Sequence, residues 1–234
     1  MVDKTPARIR AMFDQISPRY DLLNHLLSLN ADVLWRRRAA AHLRDCPRVL
    51  DVCSGTGDMA LELRRRWGAR VVGSDFSFGM IELARLKSRR TSGVGVLQAD
   101  TLRLPFGDGA FDGSVVAFGL RNVVDPARGI AEMARVVRPG GRVVVLEFTL
   151  PRNPVLRRGY LLYFGHVLPR IGRMIARSEI DAYKYLPDSV GRWPSPEELS
   201  SVLAAAGLRD VAYELLFGGV AAIHVGRKPE SGRA

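Results

Sequence analysis

The sequence predicts an open α/β sandwich: a mostly parallel sheet, helices on both faces, and a terminal antiparallel pair of strands. Three observations carry this. Short apolar runs alternate with helical segments from residue 48 to residue 148. The runs are continuously apolar rather than alternating in polarity, which marks strands buried on both faces. The last two runs, "RDVAYELLF" (209–217) and "GVAAIHVGRK" (219–228), meet around Gly218-Gly219, as a hairpin does.

The elements follow in order. The segment through Leu43 reads as helical, with "YDLLNHLLSL" amphipathic and Ser17-Pro18 a helix start. Then "RVLDV" is a strand and "MALELRRRW" a helix; "ARVVGSD" is a strand and "MIELARLKS" a helix. "VGVLQAD" is a strand leading into the loop "TLRLPFGDG", and "FDGSVVAF" is the next strand. "PARGIAEMARVV" is a helix with Pro126 in its first turn, "RPGG" a turn and "RVVVLEF" a strand. From Pro151 the alternation stops for a mostly helical stretch. "SPEELSSVLAAAG" is a helix capped by Ser195 and closed by Gly207. The expectation is one domain over 1–234, with a helical cap over 1–43 and a helical insertion or lid over 151–190.

The 234 residues are 47% hydrophobic and 25% charged, enough for a real core in a soluble protein. No N-terminal apolar segment suggests a secretion leader, and no run approaches the roughly 20 apolar residues of a membrane span. Cys46 and Cys53 show neither metal-ligand spacing nor a disulfide framework, which suits the cytoplasm, and no metal is expected. The net charge is +11, carried almost wholly by arginine. That balance fits an anionic membrane surface or a solvated face. Without an aromatic-interleaved basic stretch, nucleic acid is not expected as a partner.

In an open parallel sheet, ligands bind at the carboxyl ends of the strands. The first strand runs into "DVCSGTGD" (51–58), a glycine turn before a helix. Gly55 and Gly57 let a ligand approach the backbone closely. Their spacing also suits a dinucleotide, so the neighbouring carboxylates decide. Asp58 at the helix start would repel a pyrophosphate and tolerate a cation, and Asp51 adds negative charge. Asp75 ends the second strand, where a carboxylate can accept ribose hydroxyls. Asp100 ends the third and can accept an adenine amine; an Asx turn is the alternative there. Together these residues favour S-adenosyl-L-methionine over NAD.

The motifs then resemble a known family. "MFDQISPRYDLLNHLLSL", "LWRR", "FGLRNVVD", "RVVRPGGRVVVLEF", "HVLPRIGRMIA" and "GVAAIHVGRKP" resemble the C-methyltransferases of menaquinone and ubiquinone biosynthesis over nearly the whole chain. The resemblance implies a Rossmann-like methyltransferase sandwich. It also implies transfer from S-adenosyl-L-methionine to a ring carbon of a polyprenylated quinol, demethylmenaquinol to menaquinol. Carried over, cofactor contacts fall on Thr56, Asp75, Asp100 and Thr101. Ala117 departs from the family's serine, which removes a side-chain hydrogen bond to the cofactor. A quinol carbon becomes nucleophilic when a phenolic proton leaves. Arg121 would hold the phenolate and Asn122 orient it. His166 is the expected base, preferred over His25, His42 and His224 because it lies in the insertion. A methyltransferase of another lipid or small molecule, and a nucleic-acid-binding protein retaining the fold, remain the alternatives. Residues 155–180 mix large apolar side chains with arginines, so peripheral contact with anionic membrane is expected.

Overall fold

A computed structural model describes residues 5–17, 21, 25, 28, 30–163, 165 and 189–230. Its strands are β1 (Arg48–Val52), β2 (Arg70–Asp75), β3 (Val94–Gln98), β4 (Phe111–Ala117), β5 (Val137–Phe148), β6 (Arg209–Leu216) and β7 (Ala221–Arg227). They form one seven-stranded sheet in the order β3-β2-β1-β4-β5-β7-β6. β1 to β5 pair in parallel; β7 runs antiparallel to both β5 and β6. The predicted sandwich and its terminal antiparallel pair are therefore both present. The strand order reverses between β1 and β4, and such a switch point opens a crevice at the strands' carboxyl ends.

The helices are α1 (Pro6–Ile16), α2 (Ala31–Ala41), α3 (Asp58–Trp67), α4 (Phe78–Ser88), α5 (Pro126–Val136), α6 (Pro154–Leu162) and α7 (Pro196–Ala205). Local chemistry fixes their starts. Ser77 caps α4 by accepting the Met80 N–H, and Asp125 caps α5 by accepting that of Arg128. Ser195 caps α7 as the sequence predicts, and Glu198 completes a reciprocal capping box with it. Successive β5 side chains enter opposite layers. Val144 and Leu146 join Trp35, Leu43, Met59 and Leu63 on one face. Val143 and Val145 join Ile130, Met133, Leu199 and Leu203 on the other. Alternate residues of a strand point to opposite faces, so a strand buried on both sides must be apolar throughout.

One expectation is corrected. "RPGG" (138–141) is not a free turn: β5 begins at Val137 and continues through it. The C-terminal chain makes this possible. The Gly140 N–H donates to the Lys228 carbonyl at 2.9 Å, and the Lys228 N–H to the Gly141 carbonyl at 2.9 Å. Gly140 takes φ +75°, a left-handed kink that allows the strand to bend without ending.

Candidate active site

At the carboxyl ends of β1 to β4 lies a cleft of about 810 Å³, its open mouth included. Gly55, Asp75, Asp100, Thr101, Phe118 and Asn122 are among its walls. Ile9, Arg10 and Phe13 of α1 close one side.

The glycine loop leaves β1 through Cys53 at φ +51° and Gly55 at φ +54°. Gly57 at φ +87° then caps α3. Across the switch point, Phe118 stands at φ +63°. Cys53 and Phe118 are thus two non-glycine residues in left-handed backbone on opposite lips of one cleft. Such strain persists only where the surrounding structure imposes it. Gly119 follows from this crowding, because a Cβ there would lie 2.3 Å from the Cys53 Cβ.

Asp75 ties the loop to β2. Its carboxylate accepts the Gly55 N–H at 2.8 Å and the Ser77 N–H at 2.9 Å. Burial pushes the carboxyl above its usual range, and those two amides pull it back. Each oxygen keeps a further acceptor position. Asp100 also faces the cleft and accepts the Leu102 N–H at 2.9 Å, so the Asx turn and the cleft position coexist. Thr101 is buried, its Oγ1 3.4 Å from the Cys53 Sγ. Burial raises the Cys53 thiol far above its ordinary value, which leaves it a packing group rather than a nucleophile. Asp51, beneath the loop, is 1% exposed, and neither carboxylate oxygen makes a hydrogen bond of ordinary geometry. Burial pushes it up to about 8, with Arg36 and the Ala60 amide lowering it only in part.

The structure redirects three sequence expectations. Asp58 does not offer its charge to a cleft ligand, because it forms an ion pair with Lys87. Thr56 is buried, and its hydroxyl donates to Asp21 and accepts from Lys87 Nζ at 3.0 Å. Neither Thr56 nor Gly57 is among the residues lining the cleft. Arg121 is likewise not a lining residue. It is 7% exposed, its guanidinium 3.1 Å from Glu147 Oε2, bonded to the Phe118 carbonyl and 5.3 Å from the Phe148 ring centroid. Asn122, the next residue, does line the cleft. Tyr160 lies close enough to Arg121 and Glu147 to feel both charges, and burial raises its phenol. Among the other histidines, His25 pairs with Asp32 at 3.1 Å, and buried His224 meets the Pro196 carbonyl at 2.9 Å. His166 lies outside the described residues.

Two contributors went unread in the sequence. Glu147 was detectable by extending the strand-end rule to the fifth strand. The α1 residues carry no such signal, because only tertiary contact brings them to the cleft.

The arrangement fits S-adenosyl-L-methionine. Gly55 at the cleft wall, a carboxylate with spare acceptor positions at the end of β2 and a second after β3 suit a ribose and an adenine amine.

Comparison with known proteins agrees. A demethylmenaquinone methyltransferase of Thermus thermophilus is 51% identical over 222 residues, 93% of this chain and 100% of that protein. A ubiquinone/menaquinone biosynthesis C-methyltransferase of Geobacter sulfurreducens is 46% identical, covering 94% of this chain and 88% of that protein. Among solved structures, an S-adenosylmethionine-dependent methyltransferase of Thermotoga maritima, described as a possible histamine N-methyltransferase, superposes with a TM-score of 0.68. It is 22% identical, covers 94% of this chain and 99% of its own, and so speaks to the fold alone. The sequence profile of the ubiE/COQ5 methyltransferase family matches residues 1–228, and the chain belongs to that family.

Proposed function

We propose that the chain is an S-adenosyl-L-methionine-dependent C-methyltransferase that converts demethylmenaquinol to menaquinol. The observation that carries this is the strand-end cleft of Gly55, Asp75 and Asp100, in a chain 51% identical to a demethylmenaquinone methyltransferase. The cofactor, when bound, supplies an electrophilic methyl group on a sulfonium. In this reading Asp75 accepts the ribose hydroxyls, Asp100 accepts the adenine amine, and Gly55 admits the ligand to the backbone.

Asn122 faces the acceptor side and orients the phenolic oxygen. Arg121 acts from beneath as a positioning residue: paired with Glu147 and bonded to the Phe118 carbonyl, it fixes the turn that carries Asn122.

A polyprenylated quinol resides in the bilayer, so the enzyme must meet it there. Among the described residues no helix is long and apolar enough to cross a membrane. Val155 is 79% exposed, Phe217 61%, and Leu156 and Leu162 just over half. Arg157 and Arg158 are exposed among them. Apolar side chains interleaved with arginines favour peripheral docking of α6 on anionic lipid; most of the expected lid over 151–190 lies outside the described residues.

The test is mass spectrometry of quinones extracted from a strain lacking the gene. Accumulation of a menaquinone one methyl lighter is expected. An unchanged quinone pool overturns the reading.

A further inference from the structure

Two carboxylates of the N-terminal arm bind the segments that frame the cleft, beside the contact of Arg10 with the Phe76 ring. Asp14, on α1, accepts the Ser77 hydroxyl and the Gly79 N–H, the latter at 3.1 Å. Both donors lie at the start of α4, directly after Asp75. Gly79 forms the seat: a Cβ there would come within 3.2 Å of the Asp14 Oδ1 and the Ser17 hydroxyl, and 3.5 Å of the Asp14 Cα. Asp21 accepts the Thr56 hydroxyl and, at 2.8 Å, a hydrogen bond from Lys87 Nζ. Lys87 also binds Asp58 at the start of α3. One carboxylate is therefore fastened to the end of the glycine loop and the other to the turn after Asp75. Ile9, Arg10 and Phe13, on the α1 turns that precede Asp14, lie against the cleft.

We propose that Asp14 and Asp21 are positioning residues that latch the N-terminal arm across the cofactor cleft and set the rate at which cofactor leaves. The inference rests on the reading of the cleft as the cofactor site. Both latch points belong to the segments that hold the ligand. Release of the arm removes the wall made by Ile9, Arg10 and Phe13 and frees the Ser77 hydroxyl and the Gly79 amide. The ligand then has an open side, whereas Gly55, Asp75 and Asp100 keep their places.

The test compares Asp14→Ala, Asp14→Asn and Asp21→Ala with the unaltered chain. Two quantities are read: the dissociation rate of radiolabelled S-adenosylhomocysteine in a chase, and deuterium uptake by residues 6–16 with and without that ligand. Losing hydrogen bonds to a charged group is worth about tenfold in an equilibrium. Asp14→Ala and Asp21→Ala should each speed dissociation by about that factor and abolish the ligand's protection of residues 6–16. Asp14→Asn keeps an acceptor oxygen and should restore most of both. A purely structural role would lower the melting temperature without restoring ligand retention in the asparagine variant. Unchanged dissociation in an arm that takes up deuterium faster overturns the latch, and so does an arm whose uptake is unaltered by Asp14→Ala. An unaltered chain that binds no S-adenosylhomocysteine overturns the cofactor reading and the latch together.

Discussion

Removing Glu147 tests how Arg121 is held. The carboxylate lies 3.1 Å from one guanidinium nitrogen of Arg121 and accepts the Arg121 N–H at 3.2 Å and the Phe148 N–H at 3.1 Å. The two side chains are 9% and 2% exposed, so solvent screens the pair poorly. Breaking a buried pair by deleting one partner costs about 3–5 kcal/mol, because the other charge stays buried. Unfolding entropy of about 2.1 cal/mol/K per residue gives about 0.5 kcal/mol/K for a chain of this size. Glu147→Ala should therefore lower the melting temperature by roughly 6–10 °C. Replacing both residues by leucine removes the uncompensated charge and should return most of that loss. Turnover should be low in the double variant, because the turn that carries Asn122 has lost its anchor. Calorimetric melts and quinol turnover read the two effects separately. A Glu147→Ala melt within about 2 °C of the unaltered chain refutes the tight pair. A double variant with normal turnover refutes a positioning role for Arg121.

Asp75→Ala should weaken S-adenosyl-L-methionine binding at least about tenfold by titration calorimetry, through lost hydrogen bonds of about 1.5–3 kcal/mol; unchanged affinity would contradict the ribose assignment. Asp51 keeps its proton when folded up to about pH 8 and loses it near 3.8 when unfolded, so its contribution to stability falls as pH rises across that window. The melting temperature of Asp51→Asn relative to the unaltered chain should therefore climb between pH 5 and about pH 8, and a pH-independent difference would count against a buried neutral carboxyl. Sedimentation with liposomes should rise with anionic lipid, fall with salt, and weaken when Arg157 and Arg158 become glutamine, each arginine being worth about 1 kcal/mol near the surface. Indifference to anionic lipid at low salt would remove the membrane from the account.

The strands were legible because both faces of the sheet are covered, and burial on two sides forces an uninterrupted apolar run. The Ser195 cap was legible because its donor and acceptor lie within one helical turn. Asp75 and Asp100 came from the rule that ligands sit at strand ends, and both do line the cleft. What escaped depends on partners far along the chain. Asp58 looked like a free charge, but Lys87, 29 residues on, neutralises it. Asp75 and Asp100, with family membership, remain the marks of the cofactor site. Arg121 looked like a surface cation facing substrate, but Glu147, 26 residues on, holds it inside. "RPGG" has the composition of a turn, and only pairing with Lys228 makes it strand. A helical N-terminal segment was expected, but its contacts through Asp14 and Asp21 join residues more than 30 positions apart, which no local pattern announces.

The central claim is methyl transfer from a cofactor held in this cleft to a quinol carbon. The most direct measurement supplies the purified chain with demethylmenaquinol in detergent and S-adenosyl-L-methionine carrying a deuterated methyl, then fragments the product in a mass spectrometer. The account predicts menaquinol with the deuterated methyl on the ring carbon, and loss of that product with Asp75→Ala. Label on a phenolic oxygen, or no transfer to the quinol at all, would contradict it.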